Sequence, residues 1–356
     1  MSRSDPSSLL PGLPAGAEIL IVRLRSLGDI VLETPAIAAL HAWRPDLRLN
    51  VLVESAFAAV LEGNPAVAEV IEFRGMAATA RLLRRRKFAA VFNQHAGPRS
   101  ALLTWATGAP VRVGWRTKQF ARLYNYRALE PQEIYGHGAI HAVEHRMAQF
   151  YWAGLPRQPI PCAEVFPQPD ALEAVASRLA GRGIPRGANY AVIFPGASTF
   201  TKRWATEEFS AAAKHVLARH NLAPVFCLGP GEEEIRDAVQ ERVAKEFAVL
   251  ESLELRELIA LVAGARLFLG NDAGPAHVAA AAGVPAVVIF GSSNSVQWRP
   301  WGVRHRVVQN EFACNPCPGD RCYAFDAPQC ILSIAVEQVC RACDEVMAEV
   351  AREQRK

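Results

Sequence analysis

Residues 267–291, LFLGNDAGPAHVAAAAGVPAVVIFG, decide the fold of this chain. Their pattern predicts a strand over 267–270, a turn of small and acidic residues over 271–274, a short helix over 275–283 and a second strand over 286–290. Proline is favoured at the start of a helix because its missing N–H would be unpaired there, and glycine is favoured just past the end. A turn of small residues leaves backbone N–H groups open at a helix N-terminus, which suits a phosphate or diphosphate. The stretch therefore predicts a site for a nucleotide-like ligand.

The same alternation of strand and helix occurs in two parts of the chain. The first part begins with a strand over 18–24 and alternates to residue 114, and the second restarts at residue 190 and closes with a helix over 335–352. This alternation predicts an α/β protein with parallel sheets covered by helices on both faces. In such doubly wound folds, ligands bind in a crevice at the carboxyl ends of the strands.

A proline-rich connector separates the two parts, because six prolines lie between residues 156 and 185. Clustered prolines are typical of segments that join regular elements, although one helix is predicted over 169–182. The predicted organisation is a disordered tail (1–17), an N-terminal Rossmann-like domain (18–165), a linker (166–187), a C-terminal Rossmann-like domain (188–334) and a C-terminal helix (335–356).

Composition excludes several classes of protein. The formal net charge of +4 is too small to indicate a nucleic-acid partner. No apolar run reaches the roughly 18–20 residues that span a bilayer, and the N-terminus lacks a secretory apolar segment. We therefore expect a cytoplasmic protein whose eight cysteines are reduced thiols or metal ligands. No D-x-D pair is present to hold a divalent metal against a sugar diphosphate.

Asp29 follows Gly28 directly after the first predicted strand, so its carboxylate is expected at the carboxyl edge of the first sheet. An acid in the first turn of a helix complements the helix dipole, whereas the same carboxylate facing a crevice would serve as a general base. Arg23 and Arg25 flank this loop and are either solvated or bind anionic groups of an acceptor. The residues alone leave both interpretations open.

The loop over 194–204 opens the second part of the chain. Its small residues resemble a phosphate-facing turn, in which Lys202 or Arg203 would neutralise a leaving diphosphate. The alternative is a surface loop whose Trp204 packs on the following helix.

Three further residues are candidates for a nucleotide site. Glu232 lies at the start of a helix, where an acid either complements the dipole or accepts hydrogen bonds from ribose hydroxyls. Asp272 and His277 belong to the stretch quoted first. They are either phosphate-site residues or, respectively, an Asx-turn residue and a core histidine.

Four cysteines cluster in a proline-containing loop near the C-terminus: Cys314, Cys317, Cys322 and Cys330. Four thiolates at close spacing suit tetrahedral zinc or iron. Only Cys314 and Cys317 have the C-x2-C spacing that is usual in such sites, so reduced, packed thiols are the alternative to a structural metal.

A basic run, Arg81, Arg84, Arg85, Arg86 and Lys87, lies on a predicted helix. Such runs usually form a solvated face. The alternative is contact with an anionic membrane surface, which here would be peripheral contact with the inner membrane.

Taken together, four segments of the chain strongly resemble glycosyltransferase family 9, the bacterial ADP-heptose:lipopolysaccharide heptosyltransferases. They are ILIVRLRSLGDIVLETPAIAAL (19–40), VLVESAFAAVLEGNPAVAEVI (51–71), Thr201-Lys202-Arg203-Trp204 (201–204) and GNDAGPAHVAAAAGVPAVVIFGSSNSVQW (270–298). The first and last segments are specific as a pair. The resemblance implies a GT-B fold of two facing Rossmann-like domains, with the acceptor in the N-terminal domain and the nucleotide sugar in the C-terminal one. It also implies that the final helix packs back toward the N-terminal domain.

The resemblance also implies roles for particular residues. Asp29 matches the catalytic base, Lys202 the residue near the donor phosphates and Glu232 the ribose contact. The donor-phosphate motif is matched by Asp272, Ala273, Gly274, Pro275 and His277. Ala273 stands where many relatives have threonine or serine, so a hydroxyl contact to the phosphate is absent.

The implied reaction is an inverting single displacement that transfers heptose from ADP-L-glycero-D-manno-heptose to the lipopolysaccharide inner core without a cofactor. Another donor sugar remains an alternative, as does a protein acceptor, because some protein-modifying relatives resemble this chain in carrying a cysteine cluster. A sugar-nucleotide epimerase or a non-catalytic binder on the same fold is the further alternative.

Overall fold

The computed structural model describes residues 5–229 and 232–353, which divide into two compact units between Glu164 and Val165. Each unit is built on a parallel six-stranded sheet. The α/β architecture predicted from the alternation of elements is therefore confirmed. The division falls inside the proline-rich region. Residues 1–4, 230–231 and 354–356, which belong to the predicted tail, C-terminal domain and C-terminal helix, lie outside the described residues.

The first unit alternates strands with helices from residue 18 to residue 152. Its strands are β1 (Glu18–Val22), β2 (Arg48–Glu54), β3 (Glu69–Phe73), β4 (Ala90–Asn93), β5 (Val111–Trp115) and β6 (Tyr126–Ala128). Its helices are α1 (Leu27–Val31), α2 (Thr34–Trp43), α3 (Met76–Arg85), α4 (Pro98–Ala106), α5 (Pro131–Tyr135) and α6 (Ala142–Trp152).

The second unit begins with a helix inside the predicted linker. Its helices are α7 (Pro169–Ala180), α8 (Thr206–His220), α9 (Glu233–Arg242), α10 (Leu255–Ala263), α11 (Gly274–Ala281), α12 (Ser295–Trp298), α13 (Gln329–Leu332) and α14 (Val336–Glu353). Its strands are β7 (Tyr190–Phe194), β8 (Ala223–Cys227), β9 (Ala248–Leu250), β10 (Leu267–Asn271), β11 (Ala286–Ile289) and β12 (His305–Val308).

The two sheets share one topology. The strand order is β3-β2-β1-β4-β5-β6 in the first unit and β12-β11-β10-β7-β8-β9 in the second. Both orders read 3-2-1-4-5-6 when each unit is numbered from its own first strand, which is the Rossmann order. The order reverses between β1 and β4 and between β7 and β10, so each unit has one switch point at which a ligand is expected.

Apolar strand residues buried on both faces hold each sheet between its helices, as is usual for parallel sheets. In the first unit Leu20, Val22 and Val91 pack with Leu83 of α3 and Leu103 of α4. In the second unit the strands pack with α8 and α14, which bury Phe209, Val216, Val339, Cys343 and Val346. Among the described residues, none of the helices combines the length and the apolar character needed to cross a membrane.

The expectation of a disordered tail over 1–17 is wrong for its described part, residues 5–17. Leu10 is fully buried and its N–H donates to the carbonyl of Ala153. Arg44 donates to the carbonyls of Leu10 and Leu13. Leu9 and Leu10 are buried and anchor the segment, whose other residues from 5 to 16 are exposed or half-buried, although its Ser, Pro and Gly content suggested a loose chain.

The closing helix α14 packs mainly on α8, β12 and β11 of its own unit. One face of this helix is apolar, and Val339, Cys343 and Val346 at helical spacing bury that face. Its return toward the N-terminal domain, which the family resemblance implies, stays a prediction.

Candidate functional site

The residues predicted to carry chemistry lie at the switch points of the two sheets. Asp29 belongs to α1, which follows β1, and the loop with Lys202 follows β7. Asp272 directly follows β10, the strand that pairs with β7. The topology therefore places these side chains at the sheet edges where doubly wound folds bind ligands.

Asp29 is held by its own helix and by two arginines. It is the third residue of α1, and its Oδ2 accepts hydrogen bonds from the N–H of Ser26 at 3.3 Å and from the Ser26 hydroxyl at 3.1 Å. Its Oδ1 forms ion pairs with Arg23 and with Arg146, the latter at 2.6 Å. The carboxylate therefore caps the helix with one oxygen and binds cations with the other.

These arginines control the charge of Asp29. Burial alone would raise the pKa of Asp29, but the positive charges of Arg146 and Arg23 outweigh this effect and lower the pKa to about 2. Asp29 is therefore ionised at neutral pH, and in this arrangement it is a weak base. It gains proton affinity when its contacts with the two guanidinium groups weaken.

Arg23 and Arg25, the predicted acceptor-binding residues, lie in different environments. The guanidinium of Arg23 is buried, pairs with Asp29 and donates to the carbonyl of Gln94 at 2.6 Å. Arg25 is exposed. An acceptor can therefore reach Arg25 directly, whereas Arg23 must first release Asp29.

A second carboxyl group, Glu33, was missed by the sequence analysis. It is fully buried, and its Oε2 lies 3.6 Å from Nε of Arg146. Neither oxygen has a hydrogen-bond partner within the described part of the chain. Burial raises the pKa of Glu33 to about 7, although Arg146 and Arg23 oppose the shift. Glu33 lies in the turn between α1 and α2, four residues after Asp29, and is the N-cap residue of α2.

Two histidines beside this cluster are neutral at physiological pH. Burial, together with the charges of Arg23 and Arg25, lowers the pKa of His95 to about 4. Burial and the charge of Arg146 lower the pKa of His145 to about 3. The Nη1 of Arg146 donates to Nδ1 of His145 at 3.1 Å, which requires that nitrogen to be unprotonated.

In the second unit, Lys202 and Asp272 form an ion pair. The Nζ of Lys202 donates to Oδ2 of Asp272 at 2.9 Å, and the Asp272 side chain is 7% exposed. Asn271 fixes this pair, because its side chain accepts from the N–H of Trp204 at 3.2 Å and donates to the carbonyl of Pro195 at 2.7 Å. The loops that follow β7 and β10 are therefore joined through a buried amide.

Trp204 behaves as the structural alternative predicted. Its ring is buried and meets Phe209 of α8 edge-on at a centroid distance of 5.0 Å, and its Nε1 donates to the carbonyl of Ile334 at 2.9 Å. This packing anchors one end of the loop and leaves Lys202, two residues earlier, at the site.

The helix α11 begins at the same place without a side-chain cap. Its N-cap is Ala273, whose backbone is extended, and Pro275 occupies the first turn. Alanine has no side-chain oxygen that could cap the first turn. Pro275 has no N–H and the N–H of Ala276 donates to the carbonyl of Ala273 at 3.0 Å, so the N–H of Gly274 and the dipole of the helix are what an anion can use. Pro275 and His277 are buried within the helix. Lys202 adds a full positive charge beside this N-terminus.

Glu232 reaches the first loop of the second unit. Its Oε2 accepts from the N–H of Gly229 at 2.8 Å. A Cβ added at Gly196 would lie 1.8 Å from Oε1 of Glu232, so the approach of this carboxylate requires glycine there. Burial raises the pKa of Glu232 above its ordinary value. Of the three acids in this turn, Glu233 and Glu234 are exposed, and Glu232 is the one directed at the loop after β7.

The cysteine loop lies against the loop that follows β7 and against the segment that follows β11. Cys314, Cys317, Cys322 and Cys330 line a cavity of about 20 Å³ together with Thr201 and Ser292. The Thr201 hydroxyl donates to the carbonyl of Gly319 at 2.5 Å, and the N–H of Cys317 donates to the carbonyl of Ser292 at 3.0 Å. The loop therefore supports Thr201, the residue next to Lys202.

These thiols are near one another but do not form a preassembled metal site. Burial raises the pKa of Cys330, and the neighbouring thiols of Cys317, Cys314 and Cys322 add to the shift. A metal site needs several ligand atoms close together. Within residues 5–229 and 232–353, one group of three His, Cys, Asp or Glu ligand atoms lies within 4.8 Å of one another, and it contains none of these cysteines. Tetrahedral zinc with Zn–S bonds of about 2.3 Å needs closer sulfurs. In this arrangement, the four cysteines predicted to bind a metal are not close enough to hold an ion.

Comparison with known proteins agrees with this architecture. The family model described as glycosyltransferase family 9 (heptosyltransferase) matches residues 76–325. This match confirms the resemblance inferred from the sequence motifs. Lipopolysaccharide heptosyltransferase 3 of Escherichia coli is 26% identical over 299 residues, which cover 78% of this chain and 84% of that protein.

Two solved structures share the fold. The E. coli ADP-heptose lipopolysaccharide heptosyltransferase II superposes with a TM-score of 0.77 at 19% identity, covering 94% of this chain and 99% of that one. The iron-containing dodecameric glycosyltransferase TibC of enterotoxigenic E. coli superposes with a TM-score of 0.58 at 14% identity, covering 95% of this chain and 78% of that one. The predicted GT-B fold class is therefore confirmed.

The buried carboxyl of Glu33 predicts a pH-dependent stability. Its pKa of about 7 in the folded protein exceeds the ordinary 4.5, so its stabilising contribution is complete below about pH 4.5 and is lost as the pH rises through about 7. The loss is up to about 3 kcal/mol. In Glu33→Gln we expect the free energy of unfolding, measured with urea, to change less between pH 5 and pH 8 than it does in the wild type. Glu72→Gln, at a partly exposed carboxyl of the same unit, is the control, and equal pH dependence in all three proteins would contradict this prediction.

Proposed function

The chain belongs to glycosyltransferase family 9, and on that premise we propose that it transfers heptose from ADP-L-glycero-D-manno-heptose to a lipopolysaccharide inner-core acceptor by a single inverting displacement. The chain is thus a glycosyltransferase, and the donor, the acceptor and the residue roles are the proposal. The similarity to E. coli lipopolysaccharide heptosyltransferase 3 supports the sugar and the acceptor class.

The observation that carries the proposal is the Lys202–Asp272 pair beside the N-terminus of α11. A diphosphate needs several positive partners, and here a lysine ammonium and uncapped helix N–H groups lie at one switch point. Asp272 holds the ammonium at 2.9 Å and thereby orients it before the donor arrives. An adenosine diphosphate therefore fits this site by charge and by topology.

In the proposed reaction the acceptor hydroxyl attacks the anomeric carbon on the face opposite the diphosphate. The new bond joins the acceptor oxygen to that carbon, while the bond from the carbon to the phosphate oxygen breaks and ADP leaves with the electron pair. Asp29 accepts the hydroxyl proton. Lys202 and the N–H groups of α11 stabilise the charge that develops on the leaving diphosphate.

The pKa of about 2 makes Asp29 a weak base before the acceptor binds. The hydroxyl proton becomes acidic as its oxygen bonds to the electron-poor anomeric carbon, so a carboxylate suffices if transfer occurs late. Anionic groups of the acceptor that draw Arg23 or Arg146 away from Asp29 would raise its proton affinity. The proposed acceptor is phosphorylated or acidic for this reason, and the exposed Arg25 is proposed to bind it.

Glu232 is proposed to accept hydrogen bonds from the ribose hydroxyls of the donor. It lies at the carboxyl end of β8, next to β7, and its carboxylate is already directed at Gly196. An acid after a strand is the usual ribose partner in Rossmann folds. Ala273 provides no hydroxyl, so Gly274, Pro275 and His277 are proposed to contribute only the helix start that faces the phosphate.

Catalysis is proposed to require no cofactor, because protein cations and N–H groups supply the positive charge. The four cysteines are proposed as a separate structural site for zinc or iron, and TibC, which is iron-containing, supports iron as the ion to test. Binding would require the thiols to approach one another. Metal analysis of the purified chain should find one ion per chain, and a metal-free protein of unchanged stability would favour packed thiols.

A protein acceptor is the second candidate. It is favoured by the cysteine loop, because some protein-modifying relatives resemble this chain in carrying a cysteine cluster. Another donor sugar, an epimerase or a binder on the same fold remain the alternatives. An assay of ADP-heptose against truncated lipopolysaccharides and candidate proteins separates them, because an epimerase forms product without any acceptor and a binder forms none.

Peripheral contact with the anionic cytoplasmic face of the inner membrane is also proposed. Arg81 and Arg85 of α3 are exposed, and the neighbouring α4 exposes Leu102 and Trp105, with 58% of Trp105 accessible. Cations beside exposed tryptophan and leucine suit an anionic bilayer surface. Cosedimentation with anionic but not neutral vesicles, weakened in Trp105→Ala, is the expected result.

Substitution of the proposed base should stop transfer and spare donor binding. In Asp29→Asn we expect kcat to fall by roughly 10²–10⁴-fold, the contribution typical of general-base catalysis. The Kd for ADP should change less than about twofold, because the donor residues belong to the other unit. Asp46→Asn removes a carboxylate that pairs with Arg44 on the surface of the first unit and is the matched control. Unchanged turnover in Asp29→Asn would refute the assignment.

Removal of the proposed phosphate ligand should affect the donor. Lys202→Ala should raise the Kd for ADP by about tenfold or more and lower kcat, because the leaving diphosphate loses a charge-assisted partner. Lys214→Ala removes an exposed lysine of α8 that pairs with Glu246, and it should change neither the Kd for ADP nor kcat. A change confined to the KM of the acceptor would contradict the placement of Lys202 at the donor.

A further inference from the structure

Two histidines and an aspartate converge on the far end of α8, apart from the switch point of the second sheet. The Nε2 atoms of His215 and His220 lie 2.9 Å and 2.7 Å from the same oxygen, Oδ1 of Asp344. All three ligand atoms lie within 4.8 Å of one another. Neither the family resemblance nor the proposed transfer reaction uses these residues.

The fold brings the three side chains together from two helices. His220 is the last residue of α8, which ends at Asn221 in the left-handed conformation (φ 53°, ψ 38°). His215 lies one and a half turns earlier, and Asp344 lies on α14, which packs along α8. Because the partners are 129 and 124 residues apart in the chain, no local sequence pattern announces them.

We propose that His215, His220 and Asp344 bind a divalent transition-metal ion, with zinc as the reference ion, and that the bound ion fastens α14 to α8. Two imidazole nitrogens and one carboxylate oxygen are a donor set that suits zinc. The ion sits on the surface of the second unit and has a structural role there.

The geometry agrees with this donor set. Zinc bonds of about 2.0–2.2 Å at tetrahedral angles separate ligand atoms by about 3.3 Å. The observed separations from Oδ1 are slightly shorter, so the carboxylate must move by less than about 1 Å to admit an ion. The side chains are 32%, 13% and 40% exposed for His215, His220 and Asp344, which leaves the fourth position to water.

A metal ion and the protons of the two hydrogen bonds compete for the same Nε2 atoms. Both histidines can donate from Nε2 to Oδ1 only if each Nε2 carries a proton. Metal binding needs the Nε2 lone pairs instead, so each neutral imidazole must carry its single proton on Nδ1. One ion then replaces two hydrogen bonds.

The experiment is a zinc titration of the full chain, followed by its thermal unfolding midpoint. At a hundredfold excess over its Kd, zinc should raise the wild-type midpoint by roughly 5 °C or more. In Asp344→Asn the midpoint should rise less than in the wild type, because the contribution of this site is lost, whereas in Asp344→His the full rise should remain, because the new imidazole supplies the third ligand. Asp237→Asn, at an exposed acid of α9 in the same unit, should keep the wild-type response.

Cobalt(II) separates this site from the cysteine loop. Ligation by nitrogen and oxygen gives visible ligand-field bands without the near-ultraviolet thiolate charge-transfer band, and these bands should vanish in Asp344→Asn. The proposal is overturned if zinc does not shift the wild-type midpoint, if wild type and Asp344→Asn shift equally, or if the cobalt spectrum contains only thiolate ligation.

Discussion

The pairing of the first strand of each unit with its fourth strand is the constraint on which both candidate sites depend. Val22 of β1 lies opposite Asn93 of β4, and Phe194 of β7 lies opposite Gly270 of β10. Because the strands are parallel, the loops that follow each pair leave the sheet at the same edge. A connection that reversed either strand would send Lys202 and Asp272 to opposite ends of the sheet.

The electrostatic balance differs between the two buried carboxyl groups of the first unit. In the first unit two buried guanidinium groups face Asp29 and Glu33, and the pKa of Asp29 falls to about 2 while the pKa of Glu33 rises to about 7. Burial raises the pKa of both groups, and Arg146 opposes it more strongly at Asp29, where its contact is 2.6 Å, than at Glu33, where it is 3.6 Å. Asp29 also receives hydrogen bonds from Ser26, whereas burial dominates at Glu33. Two carboxyl groups four residues apart are therefore held in different protonation states by their surroundings, as occurs in acid–base sites.

The sequence predicted those parts of the fold and the candidate site that depend on local patterns. The strand–turn–helix over 267–291 became β10, α11 and β11 within one or two residues of the expected ends. The buried tail around Leu10 was missed because two apolar residues in a Pro- and Gly-rich segment form no periodic pattern.

Long-range partners could not be predicted in the same way. Arg146 lies 117 residues from Asp29, and it is one of seven buried residues on α6, a helix that the sequence analysis did not predict. Contacts of this kind follow from the packing of α6 on the first sheet, and the packing is a property of the whole unit. For the same reason, the proposed metal ligands on α8 and α14 could be identified only from the packing of the two helices.

The loops of the second unit show how the absence of a hydroxyl at Ala273 can be offset. Asn271 fixes the loop after β7 through Trp204 and Pro195, and Thr201 fixes it from the other side by donating to Gly319 in the cysteine loop. Lys202 lies between these two anchors and has little freedom except along its own side chain. A preorganised ammonium loses less entropy on binding a diphosphate than a mobile one does. At the proposed donor site, the rigid loop would thus supply through position what a threonine or serine at residue 273 would supply through a hydrogen bond, and the cysteine loop would contribute by support alone.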